Sequence, residues 1–427
     1  MSDIPLPSRG VSNRRIRRVL VAAAALASVA TMQTSAAHAE TSPTGEFTAL
    51  TPARVLDTRD GTGGFSQPVG PGQSIDVQVA GIGGVPGIGV SSVVFNATAV
   101  DPTAATYLTV WPRGIARPVI SNVNVRAGET RPNLVTVALG AGGKVSLYNN
   151  GGLTHAIFDV VGFYSDAAGP LGSRFHPSDP FRLFDTRDGK GGVPAVAIGA
   201  GGTLNVAVIG RGPVPLMGVT AVVLNVTVTA PTSPGYLTVF PSDVAVPTAS
   251  NLNFVPGQTV PNLVTVRVPV GGIISFFNSG GMTHVLADVV GYYDTQRNGD
   301  AGRFVAVTPA RAIDSRPSKS AIPGDHYFVL PISGYNGIPA NASGAVLNVT
   351  ATNTTATGYL TIFPDDNCKI PLASNLNFQP GDSVANQVIT RLSVKAECSE
   401  VPAAGAIDVY NSSGNTDFIV DVFGYFL

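Results

Sequence analysis

Runs of four to eight residues rich in Val, Ile, Thr and Tyr alternate apolar with polar positions along most of the chain, and clusters of Gly, Pro and Asn separate them. A two-residue period sends neighbouring side chains to opposite faces of an extended backbone, so the pattern predicts short antiparallel strands joined by turns. Val285-Leu286-Ala287-Asp288-Val289-Val290-Gly291-Tyr292 differs, being apolar on both faces apart from Asp288. It predicts a strand covered on both sides, with a carboxylate buried inside it.

The pattern occurs three times. Arg54-Val55-Leu56-Asp57-Thr58-Arg59 returns as Arg182-Leu183-Phe184-Asp185-Thr186-Arg187 and Arg311-Ala312-Ile313-Asp314-Ser315-Arg316, at spacings of 128 and 129 residues. Tyr107-Leu108-Thr109-Val110-Trp111-Pro112 recurs from Tyr236 and Tyr359, Ser121-Asn122-Val123-Asn124 from Ser250 and Ser374, and Asp159-Val160-Val161-Gly162 from Asp288 and Asp421. A period of about 128 residues with seven or eight strands suits a two-sheet sandwich, whereas a trefoil or a single propeller blade repeats every 40 to 50 residues or so. The expected fold class is all-β, three tandem antiparallel β-sandwich modules at 40–169, 170–300 and 301–427, with a β-propeller-like arrangement as the alternative. The joins at 167–173 and 296–302 are small and polar enough to let the modules sit as beads.

Composition narrows the function. Only 12% of residues are charged, and there are five Lys and five Glu, the residues that normally fill exposed helix positions. Apolar residues make up 44%, enough for buried cores, which excludes global disorder. Residues 1–39 read as an export signal: Arg14, Arg15, Arg17 and Arg18 precede an apolar run from Val19 to Ala30, and Ala37-His38-Ala39 has the small-x-small pattern of a cleavage site. The run is too short for a membrane span, and Sec and twin-arginine export both fit it. Cleavage leaves 21 basic and 26 acidic groups, which argues against nucleic acid as a partner. The product is expected outside the cell, released or held non-covalently at the envelope.

Signatures of catalysis are missing: there is no H-E-x-x-H, G-x-S-x-G, P-loop or C-x-x-C, and nothing calls for a cofactor or a metal. The recurring acids are Asp57, Asp185 and Asp314, and Asp159, Asp288 and Asp421. Two per unit is the minimum for a glycosidase, but each lies in an apolar, strand-like phrase. A buried carboxylate needs a cation and hydrogen bonds, and a guanidinium fork supplies both. Arg54 or Arg59, Arg182 or Arg187, and Arg311 or Arg316 are therefore expected to pair with Asp159, Asp288 and Asp421, tying the first strand of each module to its last. Asp57-Thr58-Arg59-Asp60-Gly61 suits an Asx-type turn better than a calcium loop, because Arg59 stands where an oxygen ligand is needed. Asn96, Asn225, Asn348 and Asn353 open glycosylation sequons, yet alternation along a strand already explains their recurrence. His155 and His284 follow Gly-Gly turns and are expected to cap or hydrogen-bond. The third unit has Asp417 and Ser315 where the others have His and Thr. It alone carries Cys368 and Cys398, expected to form a disulfide.

Taken together over residues 47–427, these four phrases resemble the tandem modules of secreted actinobacterial repeat proteins. Such modules occur alone or appended to secreted hydrolases, so the resemblance implies an accessory or envelope-associated role, and it supplies no catalytic residue. Along Tyr236–Phe240, alternation sends Leu237 and Val239 to one face and Tyr236, Thr238 and Phe240 to the other; the same split groups Tyr107 with Trp111 and Tyr359 with Phe363. Exposed, two aromatics on one face would seat a sugar ring, and three copies would add avidity. Buried, they would fill the second side of the strand. The expected function is a secreted, non-catalytic repeat protein that binds polysaccharide, a cell-wall component or a protein partner. A structural spacer and a secreted glycan hydrolase are the alternatives.

Overall fold

Leu56, Phe95, Leu108, Val110, Leu147 and Phe158 are fully buried in one cluster, and they come from two different sheets. The computed structural model describes residues 44–366, 369–394 and 404–427; the segment 1–39, read above as an export signal, and both Cys368 and Cys398, expected to form a disulfide, lie outside them. The first module comprises β1 (Phe47–Asp57), β2 (Ser74–Gln78), β3 (Val90–Val100), β4 (Thr106–Pro112), β5 (Val123–Val125), β6 (Arg131–Ala138), β7 (Lys144–Asn149) and β8 (His155–Ser165). These form antiparallel sheets ordered β1-β8-β3-β6 and β2-β7-β4-β5, and the second and third modules repeat both orders. Two facing four-stranded sheets connected in this way make a jelly roll, one form of β-sandwich. Each aliphatic or aromatic side chain buried between them contributes about 1.5–3 kcal/mol.

The modules do not sit as beads. Val94, Leu134 and Val161 of the first cluster with Val223, Leu263 and Val290 of the second and with Val346, Ile389 and Phe423 of the third. The β1-β8-β3-β6 sheet and its two counterparts thus face a common axis, and the other three sheets lie outside them. Six four-stranded sheets around an axis form the propeller-like arrangement held as the alternative, with each inner–outer pair closed as a sandwich. Inner strands have a module core on one face and the shared core on the other, which is why their sequence is apolar on both.

Closure is cyclic. Phe47, Phe175 and Phe304 each stand over an aromatic of the next module, Tyr293, Phe426 and Tyr164, at ring distances of 4.3, 4.4 and 4.3 Å. The backbone follows the same cycle: Phe47 N–H donates to Ser173 O at 2.7 Å, Phe175 N–H to Gly302 O at 3.0 Å and Phe304 N–H to Gly45 O at 2.9 Å. Each Phe ring also lies across the glycine of its own module's closing phrase. A Cβ on Gly162, Gly291 or Gly424 would approach that ring to 2.2, 2.4 and 2.4 Å, so only glycine fits.

The joins between modules are tied into one end of this axis. Glu46 is fully buried, and it accepts from Gly172 N–H at 2.9 Å, from Arg174 Nε at 3.1 Å and from Arg297 Nη2 at 3.1 Å. Burial acts to raise the Glu46 pKa, but the donors from Arg297, Gly172 and Arg174 outweigh it and hold the carboxyl below its ordinary value. The second and third modules have Arg174 and Arg303 in the equivalent place, both fully buried, so one carboxylate is set among cations rather than three like charges among themselves.

The Tyr164 and Tyr293 hydroxyls are fully buried and 2.6 Å apart, and burial raises both phenols far above their ordinary pKa. Phe426 holds the third equivalent position. Removing one hydroxyl leaves the other without its partner, so Tyr164→Phe is expected to cost roughly 1–3 kcal/mol. The double variant Tyr164→Phe/Tyr293→Phe is expected to be more stable than the sum of the two single losses allows. Urea midpoints of the three variants measure this, and strictly additive losses would contradict the pairing.

Candidate functional site

The recurring charges gather where modules meet. Arg54 Nε lies 2.9 Å from Asp159 Oδ1 and Nη2 3.2 Å from Oδ2, bridging paired positions of β1 and β8. Arg182 holds Asp288 at 2.6 and 3.3 Å and Arg311 holds Asp421 at 2.9 and 3.4 Å. Arg59, Arg187 and Arg316 instead fork onto Asp57, Asp185 and Asp314 two residues back, closing Asx-type turns through their own backbone N–H. Of each pair of recurring arginines, therefore, the first ties the module's first strand to its last and the second rigidifies the turn. Burial pushes Asp159, Asp288 and Asp421 above the usual carboxylate range despite their arginines. In Asp57 and Asp185 burial acts in the same direction, but the forked Arg59 and Arg187 outweigh it, and Asp314 is likewise held down, chiefly by Arg316. All six recurring carboxylates are thus engaged by arginine.

The first arginine also reaches its neighbour. Arg54 Nη2 donates to Thr248 O of the second module at 3.1 Å, and Arg182 Nη2 to Leu372 O of the third at 2.8 Å. Beside them, Asn96 Nδ2 donates to Ser250 O at 2.6 Å, Asn225 Nδ2 to Ser374 O at 2.5 Å and Asn348 Nδ2 to Ser121 O at 2.6 Å. A second asparagine completes each seam: Asn262 donates to Asn96 Oδ1 at 3.0 Å, Asn386 to Asn225 Oδ1 at 3.5 Å and Asn133 to Asn348 Oδ1 at 2.8 Å. The sequon asparagines 96, 225 and 348 are therefore buried between modules, and they recur because each seam needs one.

Thr58 and Thr186 hydroxyls bond His155 Nδ1 and His284 Nδ1 at 2.9 and 3.1 Å. In the third module Ser315 Oγ donates to Asp417 Oδ1 at 2.7 Å, so the two departures there are the two halves of one replaced hydrogen bond. Among the described residues no group of three or more His, Cys, Asp or Glu is placed to hold a metal ion.

The proposed aromatic face is only half present. Tyr236 and Tyr359 are 39% and 37% exposed and Tyr107 is half-buried, but Trp111, Phe240 and Phe363 are buried. The β4–β5 loop covers that side of the strand: Thr109 Oγ1 donates to Ile120 O at 2.7 Å and Trp111 Nε1 to Ile115 O at 3.1 Å, and Thr238 and Thr361 make the equivalent bonds to Ala249 and Ala373. Each of these three Tyr pairs instead with a ring from the adjacent strand, Tyr107 with Tyr148 at 6.2 Å, Tyr236 with Phe277 at 6.4 Å and Tyr359 with Tyr410 at 6.3 Å. The recurrence of Tyr148, Phe277 and Tyr410 before Asn149, Asn278 and Asn411 was the available signal for them.

Beside the first of these pairs, at the seam between the third and first modules, lies a cleft of about 270 Å³ lined by Tyr107, Arg117, Ile120, Ser121, Arg311 and Arg316. Arg117 is exposed, and its guanidinium carbon sits 3.6 Å from the centre of the Tyr148 ring.

Because Trp111 is a core residue, Trp111→Ala is expected to destabilise the chain by roughly 3–5 kcal/mol. A shift in urea midpoint corresponding to less than about 1 kcal/mol would show that the loop does not seal the ring.

No family model and no curated protein matches this chain. Among solved structures it is similar to one described as the atomic structure of Sulfolobus Turreted Icosahedral Virus, at 9% identity and a TM-score of 0.17 over 84% of each chain. A second, described by the triple jelly roll fold and turret assembly in an archaeal virus, shows 10% identity and a TM-score of 0.17 over 90% of this chain and 89% of its own.

Proposed function

We propose that the protein is a secreted, non-catalytic ring of three modules that binds polysaccharide or another envelope component through the aromatic pairs on its outer sheets. The carrying observation is the repetition of a half-exposed Tyr beside a second ring in all three modules, at Tyr107/Tyr148, Tyr236/Phe277 and Tyr359/Tyr410. Tyr offers a rigid, amphipathic surface suited to a sugar ring, and three such surfaces held in one body add avidity to weak individual sites. A hydrolase is the weaker reading, because the carboxylates that recur are all engaged by arginine inside the modules and seams. A spacer is weaker too: Leu427 O accepts from Gly302 N–H and Gly45 O from Phe304 N–H, so residues 45 and 427 meet at one end of the axis and span little distance.

The test is co-sedimentation of the purified chain with isolated cell-wall sacculi and with a panel of insoluble polysaccharides. The triple variant Tyr107→Ala/Tyr236→Ala/Tyr359→Ala is expected to reduce the retained fraction about tenfold while leaving the melting temperature within a few degrees. Undiminished retention of the variant, or no retention of the unaltered chain on any matrix, would overturn the proposal.

A further inference from the structure

The three seams are built alike but not identically. In the first two, Arg54 and Arg182 are covered by a loop carbonyl from the next module, Thr248 O and Leu372 O. In the third, among the described residues, Arg311 donates only to Asp421 and Asp314, and the loop containing Val119, the counterpart of Thr248, leaves the cleft open. The position of Arg117 is Val246 in the second module and Ile370 in the third, so this seam alone brings three arginines to one cleft. Asp421 and Asp314 already engage Arg311 and Arg316, whereas Arg117 has no carboxylate partner among the described residues and rests on the face of Tyr148.

We infer that this cleft is the seat for a carboxylate-bearing sugar of an acidic polysaccharide, with Arg117 and the free edges of Arg311 and Arg316 on the carboxylate and the Tyr107 ring beneath the sugar. This rests on the polysaccharide-binding reading and sharpens it to one seam and one ligand class. A guanidinium presents paired donors that match a carboxylate, and such charge-assisted bonds are stronger than neutral ones. The cleft volume holds one sugar ring rather than a bundle of chains, so a linear acidic polymer would enter with one residue and run along the seam. The site exists only because the ring closes, since Tyr107 and Arg117 come from the first module and Arg311 and Arg316 from the third.

Calorimetric titration of the full-length secreted chain with a galacturonate oligomer, a neutral galactose oligomer and inorganic phosphate tests this. Binding of the galacturonate oligomer is expected, weakened about tenfold by Arg117→Gln, weakened by added salt, and unchanged by Arg113→Gln, whose partner Asp76 lies on the outer sheet. Melting curves of both variants should match the parent, because both side chains are exposed. Equal affinity for neutral and acidic oligomers, or an Arg117→Gln variant that binds galacturonate as before, would overturn the acidic seat while leaving the wider reading standing. Phosphate binding that depends on Arg117 without galacturonate binding would overturn the sugar. Absence of retention on any polysaccharide, together with no galacturonate binding, would overturn both.

Discussion

An amide side chain buried without partners costs more than most single contacts return, so each of the six seam asparagines commits the backbone around it. Asn96, Asn225 and Asn348 are at most 2% exposed, and each spends its donor on the serine carbonyl of a neighbouring module. Two of these bonds fix the second module against the first and the third against the second. The last one, from Asn348 to Ser121, is made only if the ring closes. A chain of three modules in a line would leave Asn348 at one free face and Asn133 and Ser121 at the other, and closure satisfies them together. Such a head-to-tail interface closes into a ring when the rotation per unit allows it, and otherwise propagates.

Within that frame, covalent linkage lets the three positions of each set differ. The axis carries Tyr164, Tyr293 and Phe426, so two hydroxyls satisfy one another and the third place needs none. One end of the axis carries Glu46, Arg174 and Arg303, which a ring of identical subunits could not arrange, since it would place three like charges together. The cleft at Arg117 belongs to the same class of departure. Symmetric positions serve closure, and the positions that break symmetry are where charge and open volume collect.

Much of the module was legible in advance because strands, turns and repeat follow from local periodicity. Asp288 in an apolar phrase announced its own burial and therefore a cation. Choosing Arg182 over Arg187 needed the strand register, since both stand within three residues of Asp185 and only the paired position across from Asp288 reaches it. Closure was not legible. Asn225-Val226-Thr227 has the alternation of a strand with one solvated face, and nothing in that period distinguishes water from another module. The burial of Trp111 was left open for a related reason: alternation assigns it to the face opposite Leu108 and Val110 but is silent about the loop at 113–122 that covers that face. The replacement of Thr by Ser315 and of His by Asp417 looked like two separate departures until the 2.7 Å contact joined them.

If the shared axis and the seams carry the account, the three modules unfold as one body. Differential scanning calorimetry of the purified chain is the direct measure, because the ratio of calorimetric to van't Hoff enthalpy counts cooperative units. The account predicts a single transition with a ratio of about one for the whole chain. Separate transitions, or a single envelope with a ratio of about three, would mean that the modules are independently stable and that the seams add little.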